Sequence, residues 1–381
     1  MNEKKLKQLN IAKKLFFVTL LLYVAVFFIM NSPSLTGDHI GRFFFDMKSA
    51  VTEDIPEDGA VQYEESSKNT VSVFKNGLVI LSQKTLSVYS RNNILMSEFK
   101  VNFTSPVLKK SDNYIVSFDR GDTTLSLSNS FDMLHTKTFS EKIINASVSD
   151  EGYVAVVTET YGYKARVTVL NNKLQELYYW YSSKTNVVDV VFSTSNVISV
   201  IGIVSDHENI DTVVHRINFH TGEEQKTYTV NDAFPLAIKK KNDNSIELIT
   251  DSGIYSVRND GYRPIYQYIN TGIDCYWQDE KHTVFSITEN AASRLCQVEA
   301  ISSTGNVLFR KYYTDVKSVS CYYDVFLILA EDCLYVLDST GAQLYAAPVP
   351  SSAGKICANR DALYVTGASF AQRIDISDAF S

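Results

Sequence analysis

One segment near the C-terminus constrains the chain more than any other: Leu334-Tyr335-Val336-Leu337-Asp338-Ser339-Thr340-Gly341-Ala342-Gln343-Leu344. It alternates, turns at a polar stretch ending in Gly, and resumes as a second strand-like run. That is the pattern of two adjacent antiparallel strands. Segments of the same character begin near Leu86, Leu125, Val167, Val213, Ile254 and Cys296, with successive starts 38 to 46 residues apart. A period of about 40 residues is that of a four-stranded propeller blade.

From residue 60 onward, short apolar runs are separated by Asn, Asp, Ser and Gly turns, and no longer segment keeps a helical period. The 23 Tyr and 21 Phe, with many β-branched residues, also favour strands. The expected fold is all-β, a propeller of four-stranded blades over residues 59–381. Writing the strands A to D from the axis outward, the first unit reads Val71–Phe74, Leu78–Leu81, Leu86–Tyr89 and Met96–Val101. The seventh reads Ser318–Tyr322, Val325–Ala330, Leu334–Leu337 and Gln343–Ala346. The last unit has only A (Lys355–Ala358), B (Ala362–Thr366) and C (Arg373–Ile376), and Ala60–Tyr63 is free to supply its D strand. Pairing the two ends would remove the exposed sheet edges. The count is then eight blades, or seven if the last unit is an appendage.

Charge is unevenly placed. The net charge is −7, residues 1–30 carry +4, and the remainder is therefore −11. An acidic body speaks against a nucleic-acid partner, since phosphate neutralisation dominates such binding. The five Cys (275, 296, 321, 333 and 357) are odd in number and lack metal-ligand spacing, so neither a disulfide framework nor a zinc site is expected.

Leu15 to Met30 is free of charge, and twelve of its sixteen residues are Leu, Ile, Val or Phe. Their insertion is worth about 4–7 kcal/mol. As a helix the run rises only about 24 Å, against a hydrocarbon core of roughly 30 Å. It is read as an uncleaved transmembrane helix over 15–32 after a cytoplasmic tail, 1–14, in preference to a signal peptide. The lysines before it place the N-terminus in the cytoplasm, and the propeller outside the cell membrane, with the lipid bilayer as a partner. Residues 33–58, with Pro33, Gly37 and Gly41, are read as an irregular stalk. Phe43-Phe44-Phe45 within it would touch the membrane interface, dock on the globular part or pack on the first strands.

The turns Phe219-His220-Thr221-Gly222-Glu223, Ile301-Ser302-Ser303-Thr304-Gly305 and Leu337–Gly341 resemble those of quinoprotein-like and YVTN-type propellers. The lysine-rich start, single apolar span and Tyr-rich repeat are also similar to an uncharacterised domain-of-unknown-function family of membrane-anchored propellers from Gram-positive, Clostridia-like bacteria. That resemblance implies the fold and brings no activity with it.

Candidate sites are each set against a plainer reading. The quinoprotein likeness would imply a quinone stacked on a Trp, but Trp180 lies in an outer strand and the other Trp is Trp277; no cofactor is expected. Ser205-Asp206-His207-Glu208-Asn209-Ile210-Asp211 has the donors for a divalent cation, yet lies in a long B–C connection, so no metal is assigned. His215 shares a strand face with Val213, Ile217 and Phe219 and is expected to be partly buried. Tyr178-Tyr179-Trp180-Tyr181, Tyr312-Tyr313 and Tyr322-Tyr323 would offer an aromatic platform for glycan or protein, though alternation buries half of each run between blades. Cys275, Cys321 and Cys357 occupy matching inner-strand positions as small apolar fillers, each followed by an Asp (Asp279, Asp324, Asp361). Lys239-Lys240-Lys241 is read as a solvated hairpin tip. No catalytic motif is present, so no catalytic residue is assigned. The expected function is a non-enzymatic binding or scaffolding module of the cell envelope with a protein or glycan partner. The alternative is an envelope hydrolase or oxidoreductase with its site at the central funnel, which needs convergent carboxylates, His or Arg there.

Overall fold

A computed structural model describes Lys13, Lys14, Phe16, Val18, Thr19 and Tyr23, then residues 37–52, 60–206, 209–241, 243–268, 272–322, 324–358 and 362–374. From Ala60 onward the strands form eight four-stranded antiparallel sheets, each in A-B-C-D order. The inner strands of neighbouring blades adjoin, and Thr70–Phe74 of blade 1 meets Lys355–Ala358 of blade 8. The molecule is therefore an eight-bladed propeller, and the seven-bladed alternative is set aside.

Closure is made by the two ends of the chain. Ala60–Gln62 pairs antiparallel with Phe370–Arg373, Val61 opposite Ala371. Tyr63 extends the seam, its hydroxyl 2.8 Å from both the Gly367 and the Phe370 carbonyl and sharing its one proton between them. The third strand of blade 8 lies three residues earlier than the expected Arg373–Ile376, because the turn after Thr366 is tight: the Gly367 N–H reaches the Phe370 carbonyl at 2.9 Å.

The repeat has a common local cause. In blades 1 to 7 the register between strands C and D shifts, beside the turn in six of them, for example at Val336/Leu337 and Ala300/Ile301, and at the far end of the pair, Ile254/Tyr255, in blade 5. A bulge at this point bends the pair and increases its twist. In blade 7 the Asp338 carboxylate accepts the N–H groups of Thr340 and Ala342 at 2.8 and 2.9 Å, and Gly341 turns the chain at φ +79°. A side chain at Gly341 would also meet Phe309 at 2.7 Å. Blade 8 has no such shift between its outer strands, whose partners come from opposite ends of the chain and share no hairpin.

Apolar faces pack between blades. Eight buried clusters fill the eight interfaces. The closing interface, with Val61, Val71, Ile80, Cys357, Tyr364 and Ala371, is buried like the others. Near-continuous apolar strands such as Gly77–Leu81 and Val154–Thr158 follow from burial on both faces.

Two expectations for the N-terminal segment are corrected. Where an irregular stalk was expected, Gly37–Thr52 forms a helix, α1. Its spacing gives it two faces. Asp38, Arg42 and Asp46 point to the propeller, while Phe43, Phe44 and Met47 are exposed. Buried Arg42 donates to Asn76 at 3.1 Å, Ser130 at 2.8 Å and the Tyr89 carbonyl at 3.2 Å. Asp38 pairs with Lys75 and accepts the Ser130 N–H at 2.9 Å. Gly41 is needed because a Cβ would stand 2.7 Å from the Phe131 ring.

The second correction concerns the anchor. Among the described residues no helix is long and apolar enough to cross a membrane. The single-pass span, and the placement of the propeller outside the cell that rested on it, are withdrawn. The physical reason is that the apolar run is short for a bilayer, while α1, the helix that follows it, is amphipathic and seats its charges on blades 1 and 2. Most of 15–32, and most of the tail at 1–14, lies outside the described residues.

Candidate functional site

In a propeller, inner strands bring A–B turns to one axial mouth. Here that mouth carries polar groups from blades 5, 6 and 7. The hairpin after Pro235–Lys240 folds Lys241 inward, and its ammonium lies 3.0 Å from the Glu247 carboxylate, both side chains almost fully buried. Glu247 also accepts from the Gln278 amide at 2.8 Å and from the Thr283 hydroxyl. Lys239 reaches the Gln278 carbonyl at 2.6 Å and lies 5.8 Å above Trp277. The lysine run is thus corrected: Lys240 is exposed, but Lys241 is a buried ion-pair partner. A buried charge persists where it is paired and hydrogen-bonded.

Beside this network stands His282. Its Nδ1 lies 3.7 Å from Asp279 and its Nε2 lies 3.6 Å from exposed Asp324, with the ring packed on Phe326 at 5.3 Å. Asp279 accepts the N–H groups of Lys281 and His282 at 2.7 and 2.6 Å. Burial alone would raise this carboxyl, but the His282 ring and those N–H groups outweigh it and hold it below the usual carboxylate range. Buried Cys321 faces Asp279, and burial, then that carboxylate, pushes its thiol well up. A raised thiol is a poor nucleophile. The mouth therefore has the convergent His and carboxylates the catalytic alternative requires, but not an activated thiol.

Deeper in the axis Lys109 of blade 2 approaches Asp189 of blade 4 at 3.6 Å. A cavity of about 140 Å³ there is lined by Asn145, Asp189, Leu236 and neighbours. Burial, only partly offset by Lys109, raises the Asp189 carboxyl. Lys110 donates to the Val73 carbonyl, and burial followed by the like charge of Lys239 lowers its amine.

The rim is different. The outer strand of blade 3, Glu176–Ser182, alternates as expected: Tyr178 and Trp180 pack into the interface with blade 4, and Tyr179 and Tyr181 face outward. Tyr163, from the B–C hairpin, stacks on Tyr181 at 4.7 Å and 26°. The Arg166 guanidinium lies over Tyr179 at 5.1 Å and Tyr181 at 5.8 Å, and pairs with Glu176 at 2.8 Å. Next to these rings is a groove of about 410 Å³ between the outer strand of blade 2 and the face of blade 3. Tyr161, Tyr163, Arg166 and Glu176 escaped the sequence reading. The Tyr-Gly-Tyr hairpin opposite an outer aromatic strand was the available signal.

Other candidates resolve structurally. His215 is wedged between Trp180, at 5.0 Å between ring centres, Thr185 at 3.0 Å and Glu224 at 2.8 Å. The Ser205–Asp211 insertion lengthens a hairpin, Val197–Asp206 with Asn209–Asn218, instead of forming a loop. His207 and Glu208 lie outside the described residues, among which no cluster of three or more metal-binding side chains is found. All five cysteines are free; Cys321 and Cys357 are buried and Cys275 half-buried. Tyr312 is exposed, Tyr313 packs on Tyr335 at 4.9 Å, and Tyr323 and Asp361 lie outside the described residues.

Residues 52–376 match the sequence model of a family described as a family of unknown function, DUF5711. No curated protein sequence matches significantly. Among solved structures, BamB from Moraxella catarrhalis is similar with a TM-score of 0.54 and 13% identity, over 82% of this chain and 97% of that one. The C-terminal WD40 domain of Sif2 is similar with a TM-score of 0.59 and 10% identity, over 83% and 97%. Quinohemoprotein alcohol dehydrogenase from Comamonas testosteroni is similar with a TM-score of 0.53 and 8% identity, over 82% and 73%. At these identities the likeness is one of fold.

Proposed function

We propose, for a chain that belongs to the DUF5711 family of unknown function, a non-catalytic role as a binding and scaffolding module. The observation that carries this reading is the contrast between axis and rim. Lys241 is taken up by Glu247, and Lys109 by Asp189. On the rim, Tyr179 and Tyr181 present ring surface to solvent beside an open groove. Exposed aromatic groups on a rigid scaffold are the usual anchors of recognition.

The test places a photo-crosslinking amino acid at position 181 and, as a control, at exposed Tyr262 on blade 5. In cells that make the protein, light is expected to give a defined protein or glycan adduct at 181 and none at 262. Equal labelling at both positions, or none at 181, counts against the reading. The second reading, an enzyme, rests on Asp279, His282 and Asp324 at the axial mouth. It gains only if a hydrolytic or oxidative turnover is detected and is lost in His282→Ala.

A further inference from the structure

We infer that the groove between blades 2 and 3 binds a neutral oligosaccharide. This rests on the binding-module reading and names its ligand class. Three features of the groove point the same way. Its lining includes the hydroxyls of Thr138, Ser140, Thr158, Thr160 and Thr168, a dense set of small donors and acceptors. Its charged lining residues are Lys137 and Arg166 against Glu141 and Glu176, which cancel. A cancelled charge set suits an uncharged polyol and gives no net pull on an anionic or cationic chain. Exposed aromatic rings adjoin its lining: Tyr179, 52% exposed, lies under the Arg166 guanidinium, Tyr163, 50% exposed, stacks on Tyr181, and Tyr161, 98% exposed, follows Thr160 in the chain.

Sugar rings present a C–H face and a rim of hydroxyls. The first packs on an aromatic ring; the second takes planar, bidentate groups such as a carboxylate and a guanidinium. Arg166 and Glu176 are already held together at 2.8 Å, and Arg166 is braced by the two tyrosine rings. Their polar edges are therefore pre-positioned, which lowers the ordering cost of binding. The volume, about 410 Å³, falls within the roughly 300–1,000 Å³ of small-molecule sites. One or two sugar rings would occupy it, with the chain continuing over Tyr163 and Tyr161. The outer strand of blade 3 is also a sheet edge, the structural basis for a peptide as competitor, but the hydroxyl-lined groove lies on the sheet face and not along that edge.

The experiment titrates the full chain with cellohexaose, maltohexaose, chitohexaose and mannohexaose, with hexagalacturonate and a Tyr-rich hexapeptide as competitors of other classes. Binding is followed by saturation-transfer NMR and calorimetry. At least one neutral hexasaccharide is expected to bind, with transfer to its C–H protons. Tyr179→Ala should weaken it roughly tenfold, as loss of one aromatic contact does. Tyr179→Phe, which keeps the ring, should bind as the native chain does, and Tyr262→Ala on blade 5 should change nothing. The inference is overturned if no neutral hexasaccharide binds, if hexagalacturonate or the peptide binds more tightly, or if Tyr179→Ala leaves affinity intact. A sugar that binds and is cleaved would retain this site and remove the non-catalytic reading. A protein crosslinked at position 181 without sugar binding would do the reverse.

Discussion

Two axial carboxylates carry opposite signs of coupling to pH. Asp279 is held below the ordinary value of about 3.9, so its contribution to stability is present above that pH and is lost as pH falls through its folded value. Asp189 is raised, so its ionisation opposes the fold: the preference for the protonated form is lost as pH rises through its folded value. Asp279→Asn should therefore lower the melting temperature at pH 7, and Asp189→Asn should raise it. The Asp189 difference should be gone below about pH 4, where that carboxyl is protonated folded or unfolded, whereas the Asp279 difference should fade only as pH falls from about 4 through its lower folded value. Thermal melts from pH 3 to 8 check this, and two shifts of the same sign would contradict it. The thiols give a second residue-scale prediction. Burial pushes Cys275 up to about 11 and Cys321 and Cys357 upward as well. A thiol reagent at pH 8 should label these three slowly in the native state and rapidly in denaturant; fast native labelling of Cys321 or Cys357 would contradict their burial.

At the scale of elements, α1 shows where the sequence was legible and where it was not. Pro33, Gly37 and Gly41 read as breakers, because local propensity says nothing of Phe131 waiting to pack on Gly41. The Phe triplet drew attention, yet the helix docks through Arg42 and Asp38, and Phe43 and Phe44 are exposed. The same blindness put Lys241 in solvent: its partner Glu247 lies on the next strand, but Gln278 and Thr283 arrive from another blade. Strands, by contrast, were readable to within a residue or two across blade 1, because alternation and Asn/Asp/Gly turns are local signals. The rim site was half legible, since period-two alternation put half of Tyr178–Tyr181 on the outward face without saying which half, and could not bring Tyr163 and Arg166 to it. Arg42→Ala removes the donor to Asn76 Oδ1, the Ser130 hydroxyl and the Tyr89 carbonyl, and should cost roughly 1–3 kcal/mol. Hydrogen exchange should then quicken over 37–52 while the inner strands stay protected. Unchanged exchange in α1 would mean that Arg42 does not hold it.

At the scale of the molecule, eight copies of one module each pack on the next, with an apolar cluster at every interface. The ring closes because Ala60–Gln62 completes the sheet that the C-terminal strands leave short. Closure is what converts a row of sheets with two exposed edges into a disc with a fixed axis and rim, and so keeps the groove between blades 2 and 3 in shape. The seam can be measured directly. Val61 and Ala371 face each other in antiparallel register, a spacing compatible with a disulfide. In the Val61→Cys/Ala371→Cys double variant, mild oxidation followed by peptide mass mapping is predicted to give one intramolecular 61–371 bond in a monomer. Absence of that bond, or its formation only between two chains, would contradict a ring closed by its own termini.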